Sequence, residues 1–143
     1  MSVEVIKTVS PNTNEVVITR NGPSAEDIES LPRTSAEAFK SWSKTTLAER
    51  QDIIRKALKN LSDSTDELAL ELTTQMGRPI AYGAKEVATA ISRSEYLVKI
   101  SEEVLKDTDG EPEKGFKRFI RKVPVGPVLV LFAWNVSYLP RLP

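Results

Sequence analysis

The chain has 143 residues, with 20 Lys+Arg against 20 Asp+Glu, no Cys and no His. That length suits one domain with a single core, and a 40% hydrophobic, 28% charged composition is that of a soluble globular protein rather than a disordered one. Zero formal net charge argues against nucleic acid or an anionic membrane as the main partner. Without Cys there is no disulfide, thiolate ligand or cysteine nucleophile, and without His no imidazole base. Any chemistry of this chain alone must use carboxylates, lysines, hydroxyls or amides. The longest apolar stretch, Val128 to Trp134, is far short of the roughly 20 residues a membrane helix needs. With no leader pattern at Met1, the expected location is cytoplasmic.

Alternating apolar residues from Val3 to Val9, turn chemistry over Ser10-Pro11-Asn12-Thr13-Asn14 and a returning stretch from Glu15 to Thr19 predict an amino-terminal hairpin. Ser24 is placed to cap a helix with apolar positions Ile28, Leu31, Ala38, Phe39 and Trp42, kinked or broken at Pro32. Thr46-Leu47-Ala48-Glu49 is a capping box ahead of a helix carrying Ile53, Ile54, Ala57, Leu58 and Leu61 on one face. Ser64-Thr65-Asp66-Glu67 repeats the device before Leu68, Ala69, Leu72 and Met76, and Gly77 with Pro79 should end that helix. A longer helix is expected from about Ala81 to Leu105. Gly115 to Val123 interleaves apolar and basic residues like a half-exposed strand. The continuous run Val128 to Ala133 predicts a strand covered on both faces.

The carboxylates Glu67, Glu71, Glu86, Glu95, Glu102 and Glu103 read as solvated helix faces. No His or Cys stands near Glu67 and Glu71 to suggest a metal, so no metal site is expected. Gly77 and Gly83 do not form a phosphate loop. The basic stretch from Lys114 to Lys122 reads as a protected edge or a subunit contact. Asn135, directly after an apolar strand, lies where open α/β sheets bind ligands. Its amide is a neutral donor suited to a developing oxyanion, although such an Asn is also a common turn or cap residue.

Val125-Gly126-Pro127-Val128-Leu129-Val130-Leu131-Phe132-Ala133-Trp134-Asn135 resembles the strand and Trp-Asn signature of the NAD(P)-dependent aldehyde dehydrogenase superfamily. Ser10-Pro11-Asn12-Thr13, Ala38-Phe39-Lys40-Ser41-Trp42, Glu49-Arg50, Ile54-Arg55, and Glu71-Leu72 with Gln75-Met76-Gly77-Arg78-Pro79 follow in the same order. The resemblance implies an α/β fold. It would comprise the mainly helical amino-terminal part of a Rossmann-like cofactor-binding domain, with a hairpin, one oligomerisation-type strand and one buried sheet strand. Residues 1–135 would form that partial domain, residues 114–124 the strand through which subunits pair, and residues 136–143 a divergent tail.

The resemblance further implies an aldehyde substrate, with NAD or NADP as cofactor. Asn135 would be the oxyanion donor, and Phe132, Ala133, Trp134 and Asn135 would border the cofactor. The family's aromatic-Pro pair after this Asn is replaced by Val136-Ser137, and its ribose lysine, base glutamate and nucleophilic cysteine have no counterpart in this chain. It is therefore expected to be inactive alone, with binding of cofactor by this segment alone not expected. The contrasting expectation is a non-catalytic module docking on a full-length paralogue. GTAAGT and GTGAGT, common intron openings, encode Val-Ser in frame, so the tail is expected to derive from a retained intron. An uninterrupted genomic frame across codon 135 would exclude that origin.

Overall fold

A computed structural model describes residues 4–131. In chain order the elements are β1 (Val5–Val9), β2 (Val16–Asn21), α1 (Ala25–Trp42), α2 (Leu47–Asp63), α3 (Thr65–Met76), α4 (Ile80–Val104), β3 (Thr108–Asp109) and β4 (Phe119–Ile120). β1 pairs antiparallel with β2, from Val5 opposite Asn21 to Val9 opposite Val16, with an irregularity between Thr8 and Val9. The turn closes through Asn14 N–H to the Ser10 carbonyl at 2.8 Å, with Asn14 at φ 58°. Asparagine accommodates that left-handed backbone better than most residues.

Local chemistry sets the helix boundaries. Ser24 and Thr46 are extended N-caps, and each makes a reciprocal capping box with Asp27 and Glu49 respectively. These hydrogen bonds hold both carboxyls below their ordinary pKa values. Their contribution is therefore complete above the ordinary carboxylate range and lost as pH falls through the lowered folded values. α1 runs through Pro32 without a break. The expected repeat of the capping box at Ser64 does not form. Ser64 ends α2 and starts α3 at once, its backbone lies at φ −99°, ψ 16°, and its side chain makes no cap bond. A cap needs extended backbone at that position, and a one-residue junction cannot supply it. Gly77 ends α3 in the left-handed region at φ 71°, as its position predicts.

The core lies where α4 packs against α3 and α2. Leu72, Val87 and Ala90 are buried together, flanked by Leu61, Leu68, Met76 and Ile91. The closest approach is at Gly83. A Cβ there would stand 2.6 Å from Ala69 Cβ and 2.7 Å from Ala69 Cα, so the two backbones meet with no room for a side chain. Gln51, itself buried, joins α2 to α4 by donating from Nε2 to the Val98 carbonyl at 3.3 Å and to Ser101 Oγ at 2.8 Å. The hairpin rests on the end of α3, where Asn12 Nδ2 donates to the Thr73 carbonyl at 3.3 Å.

Two strand expectations need correction. Of the stretch Gly115 to Val123, only Phe119 and Ile120 form a ladder, because β3 offers just Thr108 and Asp109 before Gly110 turns the chain and Pro112, with no N–H, follows. The apolar run beginning at Val128 is not a buried strand over its described part. Val128, Leu129, Val130 and Leu131 are 69, 85, 54 and 87% exposed. A strand buried on both faces needs neighbouring strands and covering helices. The described residues form only the pairs β1–β2 and β3–β4.

Gly83→Val should destabilise the α3–α4 contact by about 1–3 kcal/mol, the usual cost of overpacking, seen as a lower thermal midpoint of the helical circular dichroism. An unchanged midpoint would show that the contact yields freely. Leu129→Lys with Leu131→Lys should reduce aggregation and hydrophobic-dye binding while leaving the helical signal intact. Loss of helix in that variant would mean these exposed residues are packed after all.

Candidate functional site

Phe132, Ala133, Trp134 and Asn135, the candidate site residues, lie outside the described residues, as does the tail from residue 136. The structure describes the path that delivers them. α4 ends at Val104, and the chain turns through β3 and β4 before heading back along α1. Two cations fix that return. Lys122 Nζ donates to the Val104 carbonyl and, at 3.3 Å, to the Lys106 carbonyl. A cation on the last carbonyls of a helix satisfies orphan acceptors and opposes the negative end of the helix dipole. Arg121 donates to Asp107 through Nε at 3.1 Å and Nη2 at 2.8 Å.

The Arg121 guanidinium lowers the Asp107 pKa by hydrogen bonding, while its own is raised by the same bond. The contribution of this exposed pair is complete above the ordinary carboxylate range and lost as pH falls through the lowered Asp107 value. Arg118 pairs with Glu113, and Lys117 and Arg121 stand 6.0 and 4.8 Å from the Phe119 ring centroid. Much of the charge in the basic arm, residues 114–124, is thus engaged by Val104, Lys106, Asp107 and Glu113 just before it in the chain.

Beyond this clamp the chain borders two cavities. One, of about 500 Å³, lies between the α1 end and the α4 end and is lined by Trp42, Leu47, Arg50, Glu102, Leu105 and Val123, among others. Arg50 Nη1 is held at its rim by the Thr45 carbonyl at 2.6 Å. The second, of about 320 Å³, lies between Ser35, Ala38, Phe39 and Trp42 of α1 and Gly126, Pro127 and Val128. Gly126 to Val128 thus face the apolar side of α1 across this cavity, while Val128 to Leu131 remain largely exposed.

Glu86 departs from the solvated helix face expected of it. Glu86, whose side chain is 8% exposed, accepts from Arg78 Nη2 at 2.5 Å and Nε at 3.1 Å. Among the described residues no group of three His, Cys, Asp or Glu could hold a metal ion. Gly77 is a helix end beside Pro11 and Gly83 a helix contact, so neither cradles a phosphate. No helix among the described residues is long and apolar enough to cross a membrane. Sequence reasoning missed Gln51 and Lys122. Gln51 sits at a helix position that gave no apolar signal, and the partner carbonyls of Lys122 are fixed only by the fold.

Comparison with known proteins identifies the lineage. Residues 1–140 match the aldehyde dehydrogenase family. The chain is 30% identical over 134 residues to the D-glyceraldehyde dehydrogenase (NADP(+)) of Picrophilus torridus, covering 94% of this chain and 27% of that protein. It is 32% identical over 114 residues to a succinate-semialdehyde dehydrogenase of Paenarthrobacter nicotinovorans, covering 78% and 25%. Among solved structures, a 3,6-anhydro-L-galactose dehydrogenase in complex with NAP superposes with a TM-score of 0.85 at 23% identity, over 95% of this chain and 28% of that one. HpcC from Thermus thermophilus gives 0.86 at 23% identity, over 96% and 27%. The capped helices, the hairpin seated on α3 and the segment returning along α1 are thus an amino-terminal portion of a known fold, and the chain belongs to the aldehyde dehydrogenase family.

Proposed function

We propose that this chain is the amino-terminal, cofactor-domain portion of a cytoplasmic enzyme that oxidises an aldehyde to a carboxylic acid with NAD or NADP. The observation that carries the reading is the family match through residue 140, which takes in the Val125–Asn135 signature. In the proposed role the Asn135 amide N–H donates to the aldehyde oxygen as it gains negative charge, and Phe132 to Asn135 border the nicotinamide side of the cofactor. The cofactor accepts hydride when bound. The described residues do not fit it by themselves: Gly77 ends α3, Gly83 meets Ala69, and Gly115 and Gly126 have nothing within 4 Å of a would-be Cβ, with no helix start beside either to complete a phosphate cradle. With no cysteine in the chain, we assign it no turnover of its own.

We also propose that residues 114–124 pair subunits. β4 is held by two residue pairs only, and Phe116, Ile120 and Val123 are 69, 67 and 68% exposed. The same exposure supports the second reading, a module that docks on a full-length family member. The relatives act on differently named aldehydes, among them D-glyceraldehyde, succinate semialdehyde and 3-sulfolactaldehyde, so the substrate is proposed only as an aldehyde.

The purified 143-residue chain should show no aldehyde-dependent reduction of NAD(P). Measurable turnover would overturn the assignment of an inert segment. Joined to the remainder of a family enzyme, residues 1–135 should support activity, and Asn135→Ala should then cut kcat about 10²–10³-fold, the usual effect of losing an oxyanion donor. A change confined to KM would remove Asn135 from that role. Ile120→Glu should weaken subunit association of the joined protein in sedimentation; unchanged association would remove the arm from the interface.

A further inference from the structure

Asn21-Gly22 is the one Asn-Gly pair in the chain, and it stands where β2 ends and Pro23 follows. An asparagine before a glycine carries its own chemistry. The Gly22 amide nitrogen can attack Asn21 Cγ, because a glycine puts no side chain in the way of a five-membered ring. The N–Cγ bond forms, the Cγ–Nδ2 bond breaks, and ammonia leaves with the proton that the amide sheds. Water then opens the succinimide at either carbonyl. Opening at Cγ gives aspartate. Opening at the main-chain carbonyl gives isoaspartate, whose backbone is longer by the Cβ atom.

The fold holds this pair in an unreactive form. Gly22 N–H donates to the Glu4 carbonyl at 2.7 Å, so the attacking nitrogen keeps its proton and faces β1. Asn21 is the last residue of β2, opposite Val5. Ring closure needs the Gly22 nitrogen aligned with the Asn21 Cα–Cβ bond, and extended strand backbone turns it out of that alignment. The same contact is what calls for glycine. A Cβ on residue 22 would stand 3.2 Å from the Glu4 carbonyl oxygen and 3.7 Å from Ile6 Cδ1. Asn21 itself is exposed, and its side chain makes no hydrogen bond among the described residues, so the restraint lies in the backbone pairing. That pairing is weakest here. The hairpin is tied to α3 at its turn, through Asn12, whereas Glu4 and Gly22 lie at the opposite end, where a two-stranded ladder frays first.

We propose that Asn21 is a self-modifying site gated by the β1–β2 ladder. While Gly22 is bonded to Glu4 the asparagine persists, and each opening of that end of the hairpin admits succinimide formation. Isoaspartate inserts its extra atom between the residue opposite Val5 and the amide bonded to Glu4, so both pairings cannot re-form together. A transient opening is thereby made permanent. The site is separate from any part the chain plays in aldehyde oxidation.

The test follows conversion of Asn21 in the full 143-residue chain at mildly alkaline pH, by peptide mapping that separates asparagine, aspartate and isoaspartate. The folded chain should convert at least about tenfold more slowly than the same chain in guanidinium, equivalent to an opening cost of about 1.4 kcal/mol or more. Bonded positions alternate along a ladder, so Ile6, opposite Arg20, is the next residue after Glu4 whose N–H faces β2. Ile6→Pro removes that donor and should bring conversion close to the denatured rate with the helical circular dichroism unchanged. Should that variant lose helix, a staple decides. Lys7 and Thr19 face each other at a non-bonded position, whose spacing suits a disulfide, and the chain has no other cysteine. Lys7→Cys with Thr19→Cys, oxidised with diamide, should convert more slowly than its own reduced form. Equal rates in folded and denatured chains, a helical Ile6→Pro chain no faster than the parent, or a staple without effect would each overturn the gating.

Discussion

The described structure depends on the contact between Gly83 and Ala69. Helices ordinarily pack with axes 8–10 Å apart because side chains separate them, and a glycine facing an alanine brings two backbones to the near edge of that range. Here the approach is close enough that a methyl group placed at position 83 would overlap Ala69. Once α3 and α4 meet there, Val87 and Ala90 are carried one and two turns further along the same face, onto Leu72. α2 then closes against the other half of α4, where Leu58 and Val98 are buried. The hairpin and the arm are attached to this trio through its ends. The first meets α3 at Thr73, and the second meets α4 at Val104.

The elements whose boundaries depend on a few neighbouring residues were readable from sequence. The boxes at Ser24 and Thr46 and the left-handed stop at Gly77 are short-range chemistry, and they form as expected. Ser64 shows the boundary of that logic. Its Ser-x-x-Glu spacing is right, but α2 ends on the same residue, and the shared position takes a backbone geometry that no cap uses. Pro32 interrupts a pattern without ending the helix, because one missing donor is tolerated inside α1.

Legibility fell where the partner is remote. An apolar run such as Val128 to Leu131 announces burial, but not what buries it, and here the described residues include no strand beside it. The Trp134-Asn135 signature stands out in the sequence by resemblance, while its surroundings lie outside the described residues. The role of Lys122 as a cation on the end of α4 was hidden for the same reason, since its acceptors belong to residues 16 and 18 positions earlier.

Gln51 gives the α2–α4 pair a property that its small apolar residues do not. A seam made only of apolar side chains such as the buried Leu58 and Val98 would tolerate sliding, because one methyl is much like another to its neighbours. An amide buried between the helices is not. If α2 slipped by one turn along α4, Gln51 would lose the Val98 carbonyl and the Ser101 hydroxyl together, leaving a dry polar group unsatisfied at a cost of about 1–3 kcal/mol. Competing alignments of the two helices are thereby penalised more than the correct one is rewarded. One polar side chain turns a greasy seam into a vernier with a single permitted reading.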